Sequence, residues 1–239
     1  MLDWLSFLVF AVMPGLLAAV PVTLALTGAA GAIGNALALP LALARVSRNP
    51  LLRLPAYLYI TLLRGTPLLV QIYLIYYGIG QLLPGTWVRH SFLWPYLRDG
   101  FWYAVFALSL NTAAYSGEIL RAAIQAVPRG ELEAAASLGL RGRQILRLVT
   151  LPRALSICLP TMGGELILLL KSTSLASTIT VMDLLGTAQY LRTQTLHTYE
   201  PLLGAALIYI ALVFLLTRAL NRLERYLRPE LRRQPVRAA

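Results

Sequence analysis

Residues 4–44 contain no aspartate, glutamate, lysine or arginine, and this run decides the solvent in which the chain folds. A bilayer core about 30 Å thick needs about 20 apolar residues per helix, whereas a soluble core helix has no use for twice that length. Long uncharged runs recur at 103–117, 154–164 and 201–217. Only 13% of the 239 residues are charged and 58% are hydrophobic, against about 25% charged in an ordinary soluble domain. These figures exclude a soluble globular enzyme and a disordered chain. An outer-membrane barrel, which alternates in short segments, is excluded as well.

The reading is an all-α integral membrane fold of about five spans, at 19–44, 57–82, 103–123, 157–182 and 201–220. Residues 2–13 are apolar but short, and Pro14-Gly15 sets them apart; segment 1–18 is therefore expected to lie outside or at the interface. It does not read as a signal peptide, because Asp3 stands where a basic region is expected. The net charge is +11, from 21 basic residues of which Lys171 alone is lysine. Sixteen arginines fall in segments 45–53, 121–153 and 218–237, and three (Arg89, Arg98, Arg192) in the alternate connections. Basic residues gather on the cytoplasmic side, so the N-terminus is expected outside and the C-terminus inside. Nucleic-acid binding is a poor account of arginines placed at the inner ends of spans. The tail 221–239 reads as a basic cytoplasmic anchor on anionic membrane lipid. Cys158 is alone, and His90 and His197 lie in different loops, so neither a disulfide nor a metal site is expected.

Segment 127–154 is more than a polar turn. Pro128-Arg129-Gly130 breaks the preceding span, and 131–138 is rich in Ala, Glu and Leu and predicts a short helix. Gly139 supplies a turn, and 143–149 starts a second helix that Leu151-Pro152 is expected to end. Leu138, Leu140, Ile145 and Leu148 are then free to pack. Such an elbow suits a groove on another protein; a helix pair lying on the membrane surface fits composition equally well.

The segment resembles the EAA loop of permease subunits of bacterial ABC importers, which reads E-A-A, three residues, G, nine residues, I-x-L-P. Here Glu133-Ala134-Ala135, Gly139 and Val149-Thr150-Leu151-Pro152 keep that spacing, with Val in place of Ile. The resemblance implies that Glu133, Ala134, Ala135, Leu138, Gly139, Leu140, Leu151 and Pro152 couple the chain to a cytoplasmic ATPase dimer. It implies a MetI-like type I importer fold. Arg64-Gly65-Thr66-Pro67-Leu68-Leu69, the run from Ala114 to Arg121 and the run from Glu165 to Ser177 are similar to signatures of the polar amino-acid branch. Gly164 and Ser172 depart from it, where many relatives carry Asn, and Asp or Asn. Within that branch the chain is most similar to permeases for histidine, arginine, ornithine and opines. The resemblance therefore implies an amino-acid substrate, an extracytoplasmic solute-binding protein and a second, non-identical permease subunit. The chain carries no G-x-x-x-x-G-K-[ST] phosphate loop; ATP and Mg are expected on the partner ATPase, with no cofactor in this chain.

Arg64, Glu118, Glu165 and Lys171 fall within the expected spans, where charge is costly and points to function. They sum to zero, so ion pairs between helices are the competing account. Glu165 lies about 12 Å along its span, near the midplane, and Lys171 about 9 Å further out. A midplane carboxylate offers acceptors to an ammonium group, which places Glu165 first and Glu118 second as pathway residues. Asn111, Thr112, Tyr115, Ser172, Thr173 and Ser174 would line the pathway or simply bond between helices. Gly65-Thr66-Pro67 and Gly163-Gly164 are expected helix interruptions, and Pro67 should leave the Leu63 carbonyl free to face a partner or a cavity. The rival reading is an integral-membrane enzyme using Glu118, Glu165 or Asp183 with a metal.

Overall fold

A computed structural model describes residues 6–82, 90–92 and 94–227. Arg89, Asp3 and the basic residues beyond 227 lie outside the described residues, as does most of the 221–239 tail. The ten α-helices of this region are α1 (Met13–Val46), α2 (Pro50–Gly65), α3 (Leu68–Leu82), α4 (Trp94–Leu97), α5 (Gly100–Gln125), α6 (Arg129–Ser137), α7 (Gly142–Ile145), α8 (Leu151–Ser172), α9 (Leu184–Thr195) and α10 (Tyr199–Leu227). Among the described residues there is no strand.

Three expected breaks are absent. A π-helical turn, Phe7–Val12, runs directly into α1. Pro14 sits in the first turn of α1, where a missing N–H costs nothing, so Pro14-Gly15 separates no segment. α8 passes through Gly163 and Gly164 without interruption. Nor does Leu151-Pro152 end a helix: α7 continues through a π turn, Leu146–Thr150, into α8. Leu151 N–H bonds back to Leu146 O in that turn, so the wider winding falls at the step where Pro152 cannot donate.

The fourth break is sharper than expected. The segment 57–82 is not one straight span, because α2 and α3 meet at 105° across Thr66-Pro67. The helix of α8 also stops short of residue 182, tightening at Thr173–Ile179 into a 3₁₀ segment.

Among the described residues three helical runs can cross a bilayer by length and apolarity, Phe7–Val46, Gly142–Ile179 and Tyr199–Tyr226, with the bent α2–α3 pair as a fourth. The expected span at 103–123 is α5, which has the length, about 39 Å, without the oiliness. Its position explains this. α1, α2, α3 and α8 all pack on α5, so it presents small and polar residues to helices instead of leucines to lipid. α1 meets it with a stripe at helical spacing, Leu26, Ala30, Gly34 and Ala38. The approach is close enough that a Cβ on Gly34 would sit 2.6 Å from the Thr112 Cβ. Leucines such as Leu17, Leu24, Leu207 and Leu215 face outward instead.

Candidate functional site

Breaking a helix inside a membrane frees carbonyls that nothing in lipid can satisfy, at a cost of several kcal/mol each. At the α2–α3 corner one side chain meets this need. Gln71 Nε2 donates to Leu63 O at 2.7 Å, to Thr66 O at 3.1 Å and to Thr66 Oγ1 at 2.9 Å. Its own carbonyl accepts from Asn111 Nδ2 at 3.1 Å, which ties the corner to α5. The Leu63 carbonyl that Pro67 leaves free thus faces a partner, the Gln71 amide. Gln71 escaped the sequence reading, although a lone amide four residues after Pro67 in an apolar run was the signal. We expect Gln71→Leu to orphan these acceptors and lower the unfolding temperature in detergent by several degrees, each orphan costing about 1–3 kcal/mol. An unchanged melting curve would mean that water replaces the amide.

The corner, α5 and α8 enclose a cavity of about 330 Å³, at the small end of the roughly 300–1,000 Å³ typical of ligand sites. Asn111, Thr112 and Tyr115 line it from α5, Glu165 and Ser172 from α8, and Thr66 and Pro67 from the corner. Five of the expected pathway residues thus converge. Arg64 stands beside it, with its guanidinium 5.1 Å from the Tyr115 ring centroid and within Coulombic reach of Glu165.

The other expected pathway residues are elsewhere. Glu118 is held by cations: its Oε1 accepts from Arg121 Nε at 2.8 Å, and Arg121 Nη2 lies at 2.6 Å. Arg45, from the end of α1, lies 3.8 Å from its Oε2. This carboxylate fastens the C-terminal end of α5 and does not line the cavity. Thr173 is buried and donates to Leu170 O at 2.8 Å. Lys171 and Ser174 face a separate groove between α8 and α10. The ion-pair account of the four intramembrane charges therefore holds for Glu118 alone, with partners other than those expected.

Asp183 is buried at the start of α9, accepting from Gly186 N at 2.9 Å and from the Tyr209 hydroxyl at 3.2 Å. Glu118, Glu165 and Asp183 thus sit in three different environments, and among the described residues no three His, Cys, Asp or Glu side chains gather.

The 127–154 elbow is built on one turn. α6 ends at Ser137, and Gly139 takes a φ of +80°. Leu140 N–H then bonds Ala135 O at 3.3 Å and Gly139 N–H bonds Ala136 O at 2.9 Å, the paired bonds of a Schellman cap. Glu131 reaches Arg153 at 3.2 Å, locking α6 to the start of α8. Ala135 is buried, and Leu132 and Leu151 pack among Ala42, Leu120, Val127 and Ala154. Glu133, Ala134 and Pro152 are exposed, Leu140 is half-buried, and Leu138 stands out at 83% exposure.

Residues 34–233 match the model of the binding-protein-dependent transport system inner membrane component. The chain belongs to this family. It is therefore an inner-membrane permease of an ATP-driven importer and not itself an enzyme; membership implies a separate ATPase and a substrate-binding protein as partners. The octopine transport permease OccM of Rhizobium radiobacter is 48% identical over 217 residues, covering 91% of this chain and 87% of that one. The histidine/lysine/arginine/ornithine permease HisM of Salmonella typhimurium is 39% identical, covering 86% and 87%. The crystal structure of an amino acid ABC transporter with histidines superposes with a TM-score of 0.80 at 35% identity, over 94% of this chain and 98% of that one. The MetNI methionine transporter shares the fold at a TM-score of 0.75 and 22% identity, over 91% and 98%. The MetI-like fold expected from the sequence is thus the fold of this permease, and the enzyme reading falls.

Proposed function

We propose that this permease passes a cationic amino acid, arginine, histidine, ornithine or an opine built on them, through the cavity walled by Glu165. The observation that carries the reading is the cavity itself, with one carboxylate set among neutral hydrogen-bonding groups from α5 and α8. Glu165 takes the ammonium or guanidinium of the solute, Arg64 at the side meets its carboxylate, and Asn111, Thr112, Tyr115 and Ser172 supply neutral contacts. Relatives named for octopine and for histidine, lysine, arginine and ornithine support the choice of solute.

The N-terminus faces outward and the C-terminus the cytoplasm, on the strength of the arginine distribution. Residues 1–18 form an outer lead-in, 19–220 the permease domain with the 127–154 elbow, and 221–239 a basic cytoplasmic tail on membrane lipid. The elbow seats in a cleft of the ATPase dimer through Leu138 and Glu133, and that ATPase holds ATP and Mg at sites of its own. A second, non-identical permease completes the pathway.

Uptake of labelled arginine by the reconstituted complex, with histidine, glutamine and glutamate as competitors, tests the solute. Competition by histidine and not by glutamate is expected. Equal competition by glutamate would end the reading.

A further inference from the structure

We propose that the bend between α1 and α2 is a binding site for the phosphate headgroup of an anionic phospholipid. The inference rests on the orientation proposed above, which puts this bend at the cytoplasmic leaflet. α1 ends at Val46, and Asn49 caps α2 by accepting from Leu51 N at 2.9 Å, so the chain reverses within a few residues. The bend opens a cavity of about 510 Å³ lined by Arg45, Pro50, Arg53, Leu54 and Tyr57.

Two guanidinium groups reach this cavity and no carboxylate lines it. Arg45 lies over the Tyr57 ring at 4.9 Å. Its contact with Glu118 is a long one, 3.8 Å, to a carboxylate that Arg121 already engages at 2.6 Å, so positive charge is left over on the cavity side. Arg53 is exposed and enters no ion pair among the described residues, and Arg48 adds a second exposed cation on the bend. Planar guanidinium donors match the oxygens of a phosphodiester, and basic pockets between spans on the cytoplasmic side suit such headgroups.

The apolar surroundings choose lipid over a free anion. Leu51, Leu52, Leu54 and Leu58 are exposed beside the cavity, at 80%, 54%, 58% and 57%. A lipid covers that stripe with its acyl chains while its phosphate meets the arginines; inorganic phosphate leaves it bare. Arg45 then lies between the headgroup and Glu118, so an occupied site steadies the inner end of α5, which leads into the elbow.

The test is native mass spectrometry of the purified permease–ATPase complex, titrated separately with phosphatidylglycerol, phosphatidylcholine and inorganic phosphate. Phosphatidylglycerol is expected to bind, and Arg53→Gln to weaken it about fivefold while Arg53→Lys recovers part of the loss. Arg192→Gln, an equal charge change on the exposed face of α9, should leave it unaltered. Equal weakening by Arg192→Gln, equal binding of phosphatidylcholine, or phosphate binding as tightly as lipid would each overturn the site. Maleimide labelling of Arg48→Cys in intact spheroplasts tests the orientation separately: labelling from outside overturns the orientation, and the lipid titration still judges the site.

Discussion

Glu165→Gln is expected to reduce uptake of a cationic amino acid by about tenfold to a hundredfold while the complex still assembles. A hydrogen bond to a charged group contributes about 1.5–3 kcal/mol, and each 1.4 kcal/mol is a factor of ten. Glutamine keeps the shape and one acceptor, so the loss reports the charge and not the packing. Uptake of a neutral solute such as glutamine should change far less, because its amide asks only for a neutral partner. Glu165→Asp should lie between, since it draws the carboxylate back by one methylene. The contrast with Glu118 is informative. That carboxylate sits in a knot with Arg45 and Arg121, so Glu118→Gln should lower thermal stability without selecting between solutes. Wild-type arginine uptake by Glu165→Gln would remove the cavity from the pathway.

Gly139→Asp is expected to cut ATPase co-purification by about tenfold or more. The φ of +80° at this position costs an ordinary L-residue about 1–2 kcal/mol. A side chain there meets open space, so the penalty is one of backbone conformation alone. The chain relieves it by abandoning the Leu140 and Gly139 cap bonds, and Leu138 is then aimed elsewhere. Asn tolerates the left-handed region better, and Gly139→Asn should retain part of the association. Gly142→Ala is the control, because that glycine has an ordinary helical conformation with open space around it. Leu138→Asp separates aim from contact: it leaves the turn intact and removes the exposed leucine. Association unaffected by both Gly139→Asp and Leu138→Asp would place the ATPase contact outside this elbow.

Several expectations in the sequence failed for a common reason. In sequence, proline and glycine look like local punctuation, yet Pro14, Gly163, Gly164 and Pro152 all lie within continuous helices. A missing N–H costs nothing in the first turn of a helix, where Pro14 sits, and a π turn re-spaces the bonds just ahead of Pro152, so neither proline breaks its helix. Pro67 did break its span, because Gln71 was there to receive the freed carbonyls. The span at α5 was legible from its length, whereas its central position was not. Its small and polar residues make sense only once four other helices are seen to cover it.

The solvent, the all-α class and the elbow were legible in the amino-acid order. Each depends on composition or on a short stretch of backbone, as with the 4–44 run and the left-handed turn at Gly139. Tertiary structure alone decided which intramembrane charges face the cavity. Glu165 and Glu118 look alike in sequence, each a lone acid in an apolar helix. They part because Arg121, one turn on in α5, engages Glu118 and α1 adds Arg45 across some seventy residues of chain, while the α2–α3 corner leaves room beside Glu165. Partners so far apart meet only when the helices pack, and no local pattern encodes which of them will.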